Sequence, residues 1–173
     1  MQPDDSSRRY WPSLILLIVF CYWQHRIGLI VAGLKPNLVW FQLTLSAKRY
    51  FEIVNGWSPE DLQRYRAHFA PDMLHPLIYG LLGWVAVRTS PVYASLSPRA
   101  FRLWQWVLPL AAAFDYLENA CQLRLLAVPQ GTEDWLVPLS GACSAIKWLL
   151  ADGFVLGFLG FCWRKWRGEK ESP

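Results

Sequence analysis

Asp115, Glu118 and Asn119 stand inside an otherwise apolar run, Phe114–Leu126 (FDYLENACQLRLL), preceded by Val107–Ala113 (VLPLAAA). With Gln122 they fall at i, i+3, i+4 and i+7, so a helix places all four along one face. Carboxylates in so apolar a helix survive only where they face a protein interior or a cavity. This face is therefore expected to be the inner wall of a helical bundle and the first place to look for a site.

Hydrophobic residues make up 54% of the chain and charged residues 17%, against about a quarter charged in an ordinary soluble protein. The charges are grouped between long apolar runs, which reads as a polytopic membrane chain. The predicted fold is all-α, an integral membrane four-helix bundle in one domain over 1–173. Spans are expected at 11–33, 72–88, 102–128 and 136–162. Interfacial or short helices are expected at 38–51, too short to span, and at 59–69, ending before Pro71. Ser58 with Pro59 and Asp61 reads as a capped helix start, as does Ser97 with Pro98. Pro109 is expected to kink the third span. Residues 1–9 form a polar head, and the basic tail WRKWRGEKESP is expected to fray.

Basic residues favour one orientation. Arg8, Arg9, Arg88, Arg99, Arg102, Arg164, Lys165, Arg167 and Lys170 outnumber Lys35, Lys48, Arg49, Arg64, Arg66 and Arg124 on the opposite side. By the positive-inside rule both termini are expected in the cytoplasm of a bacterial inner membrane. Arg26, among Gln24 and His25 in the first span, is expected to turn inward.

Depth is counted from a rise of about 1.5 Å per residue. Lys147 in the fourth span then comes level with Glu118, and Ser140, Cys143 and Ser144 share its face. Asp72, His75 and Tyr79 bring a third polar face to the same depth. Asp115, Glu118 and Lys147 are the candidate catalytic residues, the acids as proton donors or acceptors and the lysine as their charge partner. Asp72, Tyr79, Asn119 and His75 are the candidate ligand-binding residues. The simpler readings are an interhelical Lys147–acid pair, Asp72 as a helix cap and His75 as an interfacial histidine. Gln122 is read as near the surface. Trp84, Trp148 and Phe154 are candidate walls for an apolar extension.

Cys21, Cys121, Cys143 and Cys162 lie in or beside apolar runs without a CxxC pair and read as small buried hydrophobes. A Cys121–Cys143 disulfide is allowed but unsupported. Asp72-x-x-His75 and Asp115-x-x-Glu118 are faint echoes of a di-metal carboxylate bundle with too few histidines. No metal and no cofactor is expected, and no basic stripe suited to nucleic acid is present.

GWSPEDL, DMLHPLIYG, PLAAAFDYLENA and SAIKWLL occur in this order over about residues 40–155. This series resembles a family of small four-span bacterial membrane proteins with a D-x-x-E-N motif in the third span. The resemblance implies that Asp115, Glu118 and Asn119 carry the motif, with Lys147, Asp72 and Tyr79 as its companions. His75 departs from the aromatic usual there. An analogy of size and architecture alone extends to sterol-isomerase-like and sigma-2-receptor-like four-span proteins.

The leading expectation is an acid-lined intramembrane pocket that binds, and on one reading converts, a lipid-like or isoprenoid amphiphile. The alternatives are a proton- or cation-coupled transporter and an assembly subunit of a membrane complex. Expected partners are membrane lipids or a lipid-like small molecule, with a homodimer or larger membrane complex as the assembly.

Overall fold

The computed structural model describes residues 10–170, with side chains to residue 167. The polar head expected over 1–9 lies outside the described residues. Among the described residues there are seven α-helices and one 3-10 turn: α1 Trp11–Ile30, α2 Leu38–Gln42, α3 Ala47–Gly56, α4 Pro59–Asp72, α5 His75–Thr89, the turn Pro91–Tyr93, α6 Pro98–Ala127 and α7 Leu136–Lys170. The long α6 and α7 run against each other, α5 lies along α6, and α1 packs on α5 and α4.

Local chemistry accounts for the helix starts. Ser58 Oγ accepts from the Asp61 amide while the Asp61 carboxylate accepts from the Ser58 amide, a reciprocal capping box with Pro59 at the first helical position. Ser97 caps α6 more simply, its Oγ accepting from the Ala100 amide, with Pro98 at the first helical position. The expected 38–51 helix is broken: Asn37 caps α2, Ser46 caps α3, and residues 43–46 between them are not helical. The carbonyl of Thr44 in that break lies against Gly141 of α7, where a Cβ would come within 2.6 Å of it. α4 does not stop before Pro71 but continues through it to Asp72, and α6 continues through Pro109. The tail continues α7 to Lys170.

Two apolar cores fill the molecule, one at each end of the α6–α7 pair. The first joins Phe41, Tyr50, Phe51, Tyr65 and Phe69 to Cys121, Leu125, Leu136 and Val137. The second joins Tyr79, Val87 and Tyr93 to Leu108, Ala111, Ala112 and Phe154. On α6 the polar residues 115–122 come between Ala112 and Leu125; on α7, Ser140–Lys147 come between Val137 and Phe154. The polar face is therefore a layer between two aromatic-rich cores.

These facts overturn the four-span reading. Two helices, α1 and α7, are long and apolar enough to cross a membrane. α5 has 15 residues, about 22 Å at 1.5 Å per residue, short of a hydrocarbon layer of about 30 Å. α6 has the length but carries Arg102, Gln105, Asp115, Glu118, Asn119, Gln122 and Arg124 along it. An all-α chain of seven helices replaces the four-helix membrane bundle. The multi-pass inner-membrane placement, with its cytoplasmic termini, rested on four spans and falls with them.

Candidate functional site: a sealed charge cluster

Lys147 is the centre of the polar layer. Its ammonium donates to Asp115 Oδ1 at 2.9 Å and stands 2.6 Å from Glu118 Oε2. Asp115 Oδ2 accepts from the Tyr79 hydroxyl at 3.1 Å. The Asn119 amide donates to Asp72 Oδ2 at 2.8 Å, tying α6 to the end of α4. Tyr65 donates to Gln122 Oε1 and Gln122 donates to Ser140, 2.7 Å each, so one side chain joins α4, α6 and α7. His75 stacks on Phe20 of α1, with ring centroids 5.3 Å apart.

Every predicted site residue is thus placed in this layer, Asp115, Glu118 and Lys147 in direct contact and Tyr79 on Asp115. Asp72 does not cap the start of a helix; it ends α4 and holds Asn119. Gln122, expected near the surface, is buried and bridges three helices. Arg26 does not turn inward and is exposed, as is His25. Tyr65 and His68 are participants that the sequence reading passed over. The signal was available, since Tyr65, His68 and Asp72 recur at i, i+3 and i+7 on α4.

Exposure falls to 0% at Glu118 and Asn119, 3% at Asp115 and 7% at Lys147. Burial drives the electrostatics. It raises the Glu118 carboxyl to about 7 against the pull of Lys147, and it raises Asp115 against the same pull. Burial lowers His68 and His75, which favours their neutral forms. The Tyr79 phenol is pushed up by burial and then by Asp115. Among the buried described residues, one lysine faces three carboxyl groups, Asp72, Asp115 and Glu118.

The expected acid-lined pocket is contradicted by this geometry. The acids point at Lys147 and their helical neighbours inside a packed core, not into an open cavity. Two shallow clefts lie elsewhere. One of about 160 Å³ is lined by Phe51, Val54, Leu62, Arg66 and Leu125, among others. Another of about 250 Å³ is lined by Tyr22, Trp23, Arg26, Ile30 and Pro71. The supposed apolar extension is not formed either: Trp84 lies under the Arg88 guanidinium, Phe154 packs on Trp104, and Trp148 sits beside Lys147. Transport and membrane-complex readings shared the four-span premise and are overturned with it. Among the described residues, no group of three or more His, Cys, Asp or Glu side chains is arranged to hold a metal. All four cysteines are free, so Cys121 and Cys143 form no disulfide.

No family model matches the chain, and no curated protein and no solved structure matches it. The resemblance to a four-span D-x-x-E-N family therefore has no support from comparison, and the two-helix count contradicts it. What carries over from the motif is geometric: its three residues share the helix face that meets Lys147.

Proposed function

We propose that this chain is a helical self-association module, in which the charge cluster fixes the core and α7 presents the docking surface. The carrying observation is a seam on α7. Leu139, Ile146, Leu149, Leu156 and Trp163 alternate with Ala142, Gly153 and Gly160 at steps of three and four, and all eight are exposed. That is a heptad pattern of the kind that seats one helix against another. Gly153 and Gly160 have open space where a Cβ would stand, so a second backbone has room to approach there. Leucines and a tryptophan in a continuous exposed row, on a helix whose most apolar window is 11% buried, form the kind of patch that marks an interaction surface.

The occupant argued for is a second copy of this chain. A seam carrying both large and small residues at heptad spacing offers knobs and holes to its own repeat. The buried layer serves this surface by holding α7 rigidly: Lys147 and Ser140 face inward to α6, and this leaves Ile146, Leu149 and Leu139 outward. The candidate catalytic residues are here positioning residues for a helix.

Analytical ultracentrifugation of the full chain over a range of concentrations, in a mild detergent whose mass is accounted for, tests this reading. A reversible dimer is expected, shifted to monomer by Leu149→Arg, while Leu110→Arg on the exposed face of α6 leaves it dimeric. A wild-type chain that stays monomeric at the highest concentration, or a dimer indifferent to Leu149→Arg, refutes the reading.

A further inference from the structure

The three carboxyl groups of the buried layer are not equivalent. Asp115 has a donor on each oxygen, Lys147 on Oδ1 and Tyr79 on Oδ2. Asp72 accepts from Asn119. Glu118 has less: Lys147 stands 2.6 Å from Oε2 as an ion pair, and Oε1 is buried with no hydrogen-bond partner at all. It is also the only one of the three with no exposed surface. A buried anionic oxygen without a donor is far more costly than a neutral carboxyl in the same place. Lys147 is shared between Glu118 and Asp115, and one ammonium cannot neutralise three carboxylates.

The other groups around Glu118 do not supply the missing charge. From α4 they are Tyr65, His68 and Asp72; from α5, His75 and Tyr79. From α6 they are Asp115 and Cys121, and from α7 Cys143 and Lys147. Both histidines are held towards neutrality by burial, and the imidazole Nε2 of each is without a partner. From α1, His25 and Arg26 are exposed. A second sign of an incomplete network is the Asn119 carbonyl oxygen, fully buried and unpartnered while its amide nitrogen serves Asp72.

We infer that Glu118 is a proton-binding site, and that the proton it holds latches α6 to α7. The neutral carboxyl leaves Lys147 paired with Asp115 alone. When the pH rises, the proton passes to solvent and Glu118 becomes a fully buried anion whose Oε1 has no donor, a cost relieved only by admitting water between the helices. The α6–α7 contact loosens as a result, which makes the polar layer a pH-sensitive latch. The rise of the Glu118 carboxyl to about 7 puts the change near neutrality. This inference rests on the layer and not on the α7 seam, so failure of one leaves the other standing.

Infrared spectroscopy of the purified full chain tests it directly, because a protonated carboxyl has a carbonyl stretch separate from that of carboxylate. At pH 6 the folded wild type is expected to show this band, and Glu118→Gln to lose it entirely, while Asp115→Asn keeps it. In the wild type the band should fade as the pH is raised past 8. Labelling the glutamate side-chain carboxyls with carbon-13 should shift the band, and labelling aspartate should not; this measurement needs no variant to fold. A folded wild type without the band at pH 6, a band that survives Glu118→Gln, or a shift on aspartate labelling would overturn the assignment. So would a band abolished when choline is exchanged for sodium, since a bound cation would then be supplying the charge.

Discussion

Removing Lys147 by Lys147→Met should unsettle this protein more than removing the ammonium together with its two acids. The ammonium lies 2.9 Å from Asp115 and 2.6 Å from Glu118. At an effective dielectric of about 20, a contact between unit charges at such a distance is worth roughly 6 kcal/mol of Coulomb attraction, present for Asp115 and added for Glu118 once it has lost its proton. Taking each ion out of water costs several kcal/mol in return. Gain and cost nearly cancel while all partners are present. With the ammonium gone, the desolvation cost of the acids remains and the attraction does not. The single variant is therefore expected to lose about 3–5 kcal/mol, the usual penalty for breaking a buried pair from one side. For a chain of this size that is a fall of roughly 6–20 °C in melting temperature.

The triple variant Lys147→Met, Asp115→Asn, Glu118→Gln keeps the shapes but removes the charges, and should lie within about 2 kcal/mol of wild type. Tryptophan fluorescence through a guanidinium titration, with both partial doubles, completes the cycle. A coupling energy of at least about 2 kcal/mol between Lys147 and Asp115 is expected. Losses that add within about 0.5 kcal/mol across both the Asp115 and the Glu118 cycles would refute the argument, because independent residues cannot be compensating one another's burial.

Tyr65→Phe leaves Gln122 Oε1 buried without its donor and should cost about 1–3 kcal/mol by denaturant titration; a cost near zero would mean Gln122 does not bridge α4 to α7. Gly141→Ala drives a Cβ to 2.6 Å from the Thr44 carbonyl, a backbone atom that cannot rotate away, and should cost about 1–3 kcal/mol, whereas Gly153→Ala, with open space in a helix interior, should stabilise the monomer by about 1 kcal/mol. Stability should also follow pH. Folded Glu118, raised from 4.5 to about 7, keeps a proton that the unfolded chain releases, so stability is lost as pH rises through that interval and is flat above it. His68 and His75, lowered from 6.5, act in the opposite sense below 6.5, where only the unfolded chain takes up their protons. Between pH 8 and 6.5 the glutamate contributes about 1 kcal/mol of added stability on acidification, offset by histidine protonation of the unfolded chain as 6.5 is approached; stability of the wild type should therefore stay nearly level over this interval, while Glu118→Gln, left with the histidines alone, should lose stability.

The helix faces were legible because periodicity is a local property. Asp115, Glu118, Asn119 and Gln122 share a face by spacing alone, and the depth count that placed Lys147 level with Glu118 needed only the helical rise. The capping box at Ser58 and the N-cap at Ser97 were equally local. Gln122 was misjudged because its depth was counted along α6 alone. What covers it are Tyr65 of α4 and Ser140 of α7, which hydrogen-bond it from two other helices, contacts that no periodicity within α6 carries. The assignment of Asp72 failed for a related reason. Pro71 looked like the end of one element and the start of another, whereas the chain keeps its helix through it and delivers Asp72 to Asn119.

The larger misreading has the same root. An apolar position in a helix carries one signal in sequence, whether it fills a core, faces a partner or remains uncovered. Leu108 and Leu110 differ by two residues; the first is 8% exposed in the second core and the second 50% exposed. Nothing in their chemistry separates them. Summed along α5 and α6, such residues suggested two further membrane-crossing helices, but α5 is too short and α6 spends its inner face on the charge layer. The polar residues were the better guide, because a buried carboxyl must find partners and so restricts which helices can meet. Asp115 and Glu118 required a cation, the chain offers Lys147 at the matching level, and with that pairing fixed the outward face of α7 follows. The seam from Leu139 to Trp163 is exposed because Ser140, Ser144 and Lys147 have claimed the opposite side of the same helix.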